Sequence, residues 1–573
     1  MRAEGPRLGH AGILTALLLL PGLTAAQDPA VVAVSDSAAC EGRRITQVEL
    51  GERIRPVADD VRPAFLQPVV NAVLGGAPTK PGALRPYVLL RPGGICTEAR
   101  RRESERLLRS LRYVAGARLH AEPDGDGVRL IVESSDDLRP IVGMTLDDRT
   151  PESLTLGTVN FSGSGTLVAG HWMDGDAFRD GFGFRASNPT FLGRRTTLGL
   201  SVDRRPLGDH TFIALSEPYL TRFQSLAWEL SLRNETVYVP LDRNVASRSA
   251  WRTEWRTFNA GALGRISVRG VQVLAGGLYI HERIAPADSG VIITSTGLQP
   301  PPPALGDLYA TQSGARAGVI AGIRALTFRT VDGLQTVDGV HDVALGVQAA
   351  TVIGRGVGDD DSPFVATEVY AGIGGATSFG SARITAERRS SEAQQAARLA
   401  SGRVAWYWRV SERQVQEVSA EYSGIWREDV PLALFLDDRL TGPRGFDGST
   451  ASGSRLLVGR FERRFRVGGF GRAVGFGAAG FLDAARMWSG DAPLGVTTDP
   501  QVGAGVGFLV AIPRDSRKTI RLDASYPFTQ PDGVGGFDIR LTVTTAGRTY
   551  WREPAAFQRS RMVPMLRSLL GWF

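Results

Sequence analysis

Apolar and polar residues alternate along many stretches of residues 139–551. In residues 226–233 every even position is apolar, and Glu229 and Arg233 stand at odd positions. Successive side chains of a strand point to opposite faces, so this period predicts strands with one apolar and one polar face. The same period recurs in three further stretches: residues 403–410, 519–528 and 537–544.

Arginines recur inside these strands on one face, while leucine, valine and aromatic residues occupy the other. A wall between lipid and a polar lumen has this division, but a soluble sandwich that buries its apolar face also produces it. The runs are about 9–14 residues long, the length that a tilted strand needs to cross a bilayer. We therefore predict a transmembrane antiparallel β-barrel over residues 139–551. About seventeen strands are candidates, and we choose about sixteen because single-chain bacterial barrels have an even number.

The first 26 residues have the pattern of a secretory signal. Arg2 and Arg7 precede an apolar core at residues 11–20, and small residues at 23–26 form a cleavage site. The core is too short to cross a bilayer as a helix. The sequence therefore predicts export of the chain, with residues 1–26 as a signal peptide.

Residues 40–138 have the mixed pattern of a small α+β domain. A Gly/Pro-rich link separates its two helical patterns, and an Asp-Gly turn joins its last two strands. An ordinary exported domain that only spaces something from the membrane would have the same pattern. The predicted elements are a strand, two helices and two strands, at residues 44–50, 63–74, 97–112, 115–120 and 128–132.

Cys40 and Cys96 are the only cysteines of the chain. In an oxidising exported compartment such a pair favours a disulfide over two free thiols, although both states are open to the sequence. A bridge that closes a loop of this length would stabilise the small domain by about 4 kcal/mol on the chain-entropy model.

The formal net charge of +7 comes almost entirely from arginine. A basic balance can indicate nucleic acid, but these arginines are spread over the strands, so we expect a polar wall and no nucleic acid partner. The histidines are isolated, and the acidic residues 358–361 favour a solvated loop over a cation site. Glycines 503, 505 and 507 relieve crowding in a strand rather than hold a phosphate. We expect no enzyme activity, no cofactor and no metal.

A loop at residues 431–453 is the most informative part of the barrel sequence. Its centre, Leu-Thr-Gly-Pro-Arg-Gly-Phe-Asp-Gly at residues 440–448, contains three glycines, one proline and a lone arginine, Arg444. We interpret it as a long loop folded back inside the barrel, with Arg444 held by an acidic group on the wall. The alternative is a glycine-rich surface turn with a solvated arginine. The nearby strand at residues 473–488 carries a candidate carboxylate, Asp483.

Arg444-Gly445-Phe446 and Phe481-x-Asp483 together resemble the BamA/TamA-type outer-membrane assembly and translocation superfamily. In that superfamily the arginine of an R-G-F/Y loop tip meets the aspartate of an F-x-D-x-G strand motif. Ala485 occupies the position where the family usually has glycine. This departure from the motif concerns the local backbone shape and leaves the expected ion pair intact. Residues 188–193, 502–513 and 520–528 look like further strands and turns of the family. The small domain at 40–138 resembles a polypeptide-transport-associated (POTRA) domain.

This resemblance implies a bacterial outer-membrane barrel with its POTRA-like domain in the periplasm. It implies handling of unfolded outer-membrane or secreted polypeptides, by opening of the seam between first and last strands or by passage through the lumen. Outer-membrane lipid and periplasmic accessory proteins are the other implied partners. With one POTRA-like domain, a specialised or accessory relative is expected. The alternatives are a passive diffusion porin, which needs neither domain nor loop, a structural outer-membrane barrel, and a barrel enzyme with acid/base residues at its rim.

Residues 552–573 follow the last alternating run and change period. Apolar residues then recur at helical spacing, with arginines set elsewhere: Met562, Met565, Leu566, Leu569, Leu570 and Phe573. We predict an amphipathic helix over residues 555–573, at the periplasmic membrane surface or docked against the barrel mouth. The alternative is a disordered tail.

Overall fold

The computed structural model describes residues 39–50, 78–147, 150–244, 247–358, 361–391, 394–427, 429–529, 534–546 and 553–571. The expected signal peptide at residues 1–26 and the first expected helix at residues 63–74 lie outside these ranges. So do two residues of the acidic stretch, 359 and 360.

The small domain is a three-stranded sheet covered by helix, with strand order β1-β3-β2. Strand β1 runs parallel to β3, and β2 pairs antiparallel with β3 through the turn predicted at residues 124–127. Leu107 and Leu108 of the longer helix are fully buried on the sheet. The elements of this domain are β1 (Ile45–Leu50), α1 (Pro81–Leu84), a 3-10 turn (Arg85–Tyr87), α2 (Glu98–Arg109), β2 (Val114–Asp124) and β3 (Gly127–Asp136).

A disulfide joins Cys40 to Cys96, with the two Cα atoms 5.2 Å apart. Both cysteines are fully buried in the apolar core of the small domain. The bridge ties the segment before β1 to the segment before α2. Residues 93–96 also exchange backbone hydrogen bonds with residues 42–45, so the same two segments are joined by main chain and by sulfur.

The rest of the chain forms a closed antiparallel sheet in which nearly every strand pairs with its neighbours in sequence. The strands are β4 (Pro140–Asp147), β5 (Thr150–Phe161), β6 (Thr166–Met173), β7 (Gly181–Phe191), β8 (Thr196–Arg204), β9 (Asp209–Glu217), β10 (Leu226–Pro240), β11 (Ser247–Val268), β12 (Val271–Pro286), β13 (Val291–Thr294), β14 (Gly297–Gln299), β15 (Gln312–Asp332), β16 (Val340–Val357), β17 (Pro363–Gly374), β18 (Ser378–Ser391), β19 (Gln394–Ser411), β20 (Gln414–Trp426), β21 (Leu434–Phe435), β22 (Ser452–Gly453), β23 (Arg455–Phe470), β24 (Val474–Trp488), β25 (Gln501–Ala511), β26 (Lys518–Pro527) and β27 (Asp538–Thr545).

The prediction of sixteen strands was wrong. The closed sheet contains twenty-two strand segments, two of which, β13 and β14, form a short hairpin, so twenty strands build the wall in the described residues. The strands in the first part of the barrel, β4 to β9, are only 8–12 residues long, which makes them hard to count from the sequence. Glycines and Pro189 interrupt the alternation there. The rule that such barrels have an even number of strands does not distinguish twenty strands from sixteen.

The barrel is apolar outside and charged inside, as the alternation predicts. Ile539 and Leu541 of β27 are 67% and 70% exposed on the outer face. Arg540, between them, is 7% exposed and points into the lumen. In the described residues no helix is long and apolar enough to cross a membrane.

The small domain lies across one end of the barrel, which we call the domain end. Arg109 of α2 donates two hydrogen bonds to the carboxylate of Asp342 at 2.9 and 2.8 Å. The hydroxyl of Tyr87 donates to the carbonyl of Pro189 at 2.8 Å. Arg517, in the turn before β26, donates to the carbonyl of Leu111 at 2.7 Å. The domain is therefore attached to several turns around the rim.

Candidate functional site

Two segments of the chain lie inside the barrel. One is the lumen loop, residues 427–454, which connects β20 to β23 and enters from the end opposite the domain end. The other is the C-terminal segment, residues 553–571, which follows β27 and enters from the domain end. Together with the charged inner wall, these two segments form the candidate site.

Arg444, at the tip of the lumen loop, is bound to the wall by its side chain and its backbone. Its Nε and Nη2 donate to the two oxygens of Asp483 at 2.8 and 2.7 Å, and its backbone N–H donates to the same carboxylate at 2.9 Å. Asp483 is fully buried on β24. A guanidinium paired to a carboxylate through two parallel bonds fixes direction as well as distance, so the loop tip has one orientation.

A second carboxylate and an aromatic ring complete the grip on Arg444. Its Nη1 donates to Glu462 of β23 at 2.8 Å. The guanidinium also lies over the ring of Phe481, 3.5 Å from its centroid. Such stacking uses the planar face of the guanidinium while its edges make hydrogen bonds. All three guanidinium nitrogens of Arg444 therefore donate to wall carboxylates.

A second arginine, Arg521 of β26, extends this network along the wall. It donates to Glu462 at 2.8 Å and to Asp523 at 2.7 Å. The buried carboxylates of Glu462, Asp483 and Asp523 thus alternate with the guanidiniums of Arg444 and Arg521. Such alternation compensates charges that would be costly to hold alone in a protein interior.

Glycines on β25 make room for the loop tip. A Cβ at Gly505 would lie 2.4 Å from the ring of Phe481, and one at Gly503 would lie 3.0 Å from the carbonyl oxygen of Arg444. Gly445 has φ +91°, a conformation that favours glycine and turns the chain directly after the arginine. The next residue, Phe446, is fully buried in the lumen.

The C-terminal segment is not the single amphipathic helix that its sequence predicts. It forms two short helices, α3 (Ala555–Ser560) and α4 (Pro564–Leu569), separated by an extended link. Pro564 starts the second helix and cannot continue the first. Of the two predicted locations, the membrane surface was wrong and docking against the barrel mouth is closer to the structure, because both helices lie in the lumen and α4 packs against the inner wall at the domain end.

The apolar side chains of this segment pack against the inner face of the barrel wall. Tyr219 donates its backbone N–H to the carbonyl of Leu569 at 3.0 Å. Arg324 donates to the carbonyl of Leu570 at 3.2 Å, which satisfies the end of α4. The apolar residues of the segment pack with those of β10–β12 and β15–β17 and are at most 2% exposed: Met562, Val563, Met565, Leu566, Leu569 and Leu570.

Buried ion pairs hold the link between the two helices. Glu553 accepts hydrogen bonds from Ser401 of β19 at 2.7 Å, from Arg561, and from Arg567 at 3.1 Å. Burial by itself raises the pKa of Glu553, but the guanidiniums of Arg561 and Arg567 outweigh it and hold that pKa below its ordinary value. The backbone N–H of Met562 donates to Glu387 of β18 at 2.9 Å.

The two lumen segments meet in one apolar cluster. Phe557 of α3 belongs to the same buried group as Phe446 and Leu436 of the lumen loop. Leu456 and Val458 of β23 complete the contact with the wall. The loop and the C-terminal segment, which enter from opposite ends, therefore share a core inside the barrel.

The structure brings together all five residues of the predicted loop and wall motif. Arg444, Gly445 and Phe446 lie at the loop tip, and Phe481 and Asp483 lie beneath it on β24. Ala485, where the family usually has glycine, is buried on the same strand.

Sequence reasoning missed Glu462, Arg521 and Asp523, and it missed the lumen position of the C-terminal segment. The alternation of residues 519–528 did place Arg521 and Asp523 on the polar face of their strand. Only the pairing of β23 with β24, of β24 with β25 and of β25 with β26 shows that Glu462 is their neighbour.

No family model matches this chain, and no curated protein matches it. Among solved structures, it is similar to BamA from Haemophilus ducreyi lacking POTRA domains 1–3, at 12% identity and a TM-score of 0.40, over 88% of this chain and 84% of that one. It is also similar to CdiB from Escherichia coli (12% identity, TM-score 0.44, 88% and 76% covered) and to CdiB from Acinetobacter baumannii (12%, 0.38, 88% and 74%).

Proposed function

We propose that this chain is a non-enzymatic outer-membrane protein that assembles, inserts or translocates other polypeptides, as its sequence resemblance to the BamA/TamA-type superfamily implies. The observation that carries the proposal is the lumen, which is filled by two segments of the chain itself. A passive diffusion porin needs a permanently open aqueous path. A barrel that opens only while it handles a client polypeptide is closed at other times, and segments held in the lumen would close it.

The outer face of the barrel supports a location in a membrane. Its large apolar side chains are exposed over the whole circumference, while buried arginines and carboxylates face inward. In water this arrangement would leave a large apolar surface unsatisfied, whereas lipid hydrocarbon covers it. Together with the expected export of the chain, this supports our proposal of a location in the bacterial outer membrane, with the small domain on the periplasmic side.

We propose that the small domain is POTRA-like and receives clients. In the described residues, β1 is an edge strand of its sheet, and only the start of β1 bonds to residues 93–95. An extended polypeptide adds to such an edge through main-chain hydrogen bonds, which makes the contact tolerant of client sequence. Unfolded outer-membrane or secreted polypeptides fit this surface, and periplasmic accessory proteins are further candidates.

Two routes are open to a client. It crosses through the lumen, in which case the C-terminal segment has to leave, or it enters the bilayer through the seam where β27 meets β4. Both seam strands are eight residues long, whereas β11 has 22 residues. Short strands share few hydrogen bonds and separate more easily.

Reconstitution into liposomes tests the function. The full chain should accelerate the folding of a urea-unfolded outer-membrane β-barrel polypeptide, or carry an unfolded exported polypeptide across the bilayer, as measured by protease protection of the client. Empty liposomes and liposomes with the protein heat-denatured beforehand are the controls.

The porin alternative has the opposite signature. A porin would show steady, ohmic conductance and leakage of small sugars in the wild-type form, and it would have no effect on polypeptides. That result would overturn the proposed function. The same assay on a chain lacking residues 553–571 separates the routes: the lumen route predicts faster client handling, and the seam route predicts no change.

A further inference from the structure

A cavity of about 820 Å³ lies in the lumen at the domain end. Residues 110–113 of the small domain form one side, and α4 of the C-terminal segment forms another through Pro564, Arg567 and Ser568. The inner wall closes the remaining sides. The cavity therefore lies between the domain that receives clients under the proposed function and the segment that fills the lumen. We call it the basic chamber.

All the charged side chains that line the basic chamber are cationic. No aspartate or glutamate is among the described residues that form its surface. This is unusual in a chain whose 66 basic residues are nearly balanced by 59 acidic ones. The cationic lining consists of Arg112, Arg185, Arg383, Arg403, Lys518 and Arg567.

Four of these cations are held by carboxylates that lie behind the chamber surface. Arg403 pairs with Glu417 at 2.8 Å and Arg567 pairs with Glu553 at 3.1 Å. Two weaker contacts complete the set, from Arg383 to Glu368 at 3.4 Å and from Lys518 to Asp137 at 3.8 Å. The carboxylates orient these four cations and neutralise part of their charge, so the excess positive charge of the chamber comes mainly from the other two cations.

The other two cations, Arg112 and Arg185, have no carboxylate partner among the described contacts, and both side chains are exposed to the chamber. Desolvation by the protein atoms around the chamber and the nearby charge of Arg185 lower the pKa of Arg112. Two guanidiniums that repel each other across a partly desolvated space are stabilised by an anion between them. Arginine is suited to such an anion because it binds carboxylates through two parallel bonds.

We propose that the basic chamber binds a carboxylate-bearing stretch of an extended client polypeptide, through Arg112 and Arg185. This inference rests on the proposed function, because it names the class of client segment. The rest of the lining favours a polypeptide over a small inorganic anion. Pro189, Pro218, Leu220 and Tyr370 line the chamber, are partly exposed and offer apolar surface beside the guanidiniums, which suits a chain that alternates acidic and apolar side chains. The volume is also that of a pocket for an extended organic ligand.

Binding of a labelled synthetic peptide tests the proposal. The probe alternates glutamate with leucine or valine, and its control has glutamine at each glutamate. Fluorescence anisotropy with the full chain in detergent should show binding of the acidic peptide and at least tenfold weaker binding of the control. Arg112→Gln with Arg185→Gln should weaken binding of the acidic peptide about tenfold.

Matched variants separate charge from damage to the fold. Arg112→Lys with Arg185→Lys keeps both charges and should retain most of the affinity. Arg118→Gln removes an exposed arginine of the same small domain outside the chamber and should leave the affinity unchanged. Heat-modifiable migration checks that each barrel is folded. Equal binding of the acidic and control peptides, or equal loss in Arg118→Gln, would overturn the proposal.

Two further arms distinguish the sources of the anion and the two proposals. If inorganic phosphate at matched ionic strength binds and the acidic peptide does not, the chamber is a phosphate site and the proposal fails. If the protein handles polypeptides but binds both peptides equally, the chamber proposal fails while the function stands. If the protein binds the acidic peptide through Arg112 and Arg185 but does not handle polypeptides, the proposed function fails and the chamber proposal stands.

Discussion

The two segments inside the barrel are held by different forces. The lumen loop is fixed at its tip by Arg444, which is bound to Asp483 and Glu462 of the wall. The C-terminal segment is fixed along its length by a stripe of buried apolar side chains, with one cluster of ion pairs around Glu553. The loop depends on a few directional bonds, and the segment depends on many small contacts.

The attachment of the two segments to the chain differs as well. The loop is joined to wall strands at both ends, and the strands that hold its arginine are β23 and β24, directly after it in sequence. The C-terminal segment follows the last described wall strand, β27, and no described wall strand comes after it. It is therefore not held between two described wall strands, whereas the loop is and can only loosen in place. This difference makes the C-terminal segment the better candidate for a removable obstruction.

Deletion of residues 553–571 should have the largest effect on this comparison. The truncated protein should still insert and remain heat-modifiable, because the wall ends at β27. Its conductance in planar bilayers should rise several-fold over that of the full chain, because the deleted residues fill the lumen.

The control for the truncation is the full chain with Ala555→Ser, an exposed position of α3, which should conduct as the wild type does. Unchanged conductance in the truncated protein would show that the lumen loop alone closes the barrel. A truncated protein that never inserts would show that the C-terminal residues supply an assembly signal.

Substitution of Arg444 should loosen the loop and leave the C-terminal segment in place. Arg444→Ala removes the partner of two buried carboxylates, which costs about 3–5 kcal/mol locally. Asp483→Ala should have a comparable effect, and the double variant should cost less than the sum because the two residues contact each other. Protease cleavage within residues 431–453, together with unfolding in urea, measures these changes.

Arg439→Ala is the matched control for Arg444. Arg439 belongs to the same loop and pairs with Asp447, but its side chain is half exposed, so its loss should cost about 0–1 kcal/mol. If the effects of Arg444→Ala and Asp483→Ala were additive, the pair would not stabilise the loop in solution.

Glu553→Gln should release the C-terminal segment and leave the loop in place. The substitution leaves Arg561 and Arg567 without their shared carboxylate, at a cost of about 3 kcal/mol at neutral pH. The pKa of Glu553 lies below its unfolded value of 4.5, so its contribution is complete above that pH and is lost as the pH falls through the lower, folded value.

Bilayer conductance as a function of pH measures this contribution. At pH 7 the Glu553→Gln variant should conduct more than the wild type, and the difference should shrink below pH 4.5 and disappear once the pH has fallen below the folded pKa of Glu553. A constant difference between the two proteins at every pH would show that the charge of Glu553 does not hold the segment.

The smallest expected effect comes from crowding the loop tip without changing any charge. Gly505→Ala would place a methyl group 2.3 Å from the backbone carbonyl oxygen of Ala524 and 2.4 Å from the ring of Phe481, which displaces strand β25 or the ring beneath Arg444 and costs about 1–3 kcal/mol. Gly480→Ala, on the neighbouring strand, places its methyl group in open space and serves as the control. Equal protease sensitivity of the loop in the two variants would show that the close packing of β25 beneath the loop tip contributes little to the position of the loop.

The sequence by itself determined the properties that depend on neighbouring residues. The alternation of residues 537–544 shows which side chains face outward and which face the lumen, because a strand has a period of two whatever its partners are. The motif around Arg444 and the carboxylate of Asp483 were likewise visible, because both belong to short patterns. The apolar stripe of the C-terminal segment was also readable, although the stripe by itself does not show the break before Pro564.

Only the tertiary structure decided how many strands close the wall and what lies inside it. Strand number depends on closure of the whole sheet, and weakly alternating strands such as β7 carry little local signal for it. The network of Glu462, Arg521 and Asp523 depends on register between strands that are far apart in sequence. The stripe of Met565, Leu566 and Leu569 fits a lipid surface or an apolar lumen equally well, because burial of apolar area has no direction. The inner wall of this barrel has an apolar patch that packs against the stripe and buried polar groups that bind Glu553. These contacts place the segment in the lumen.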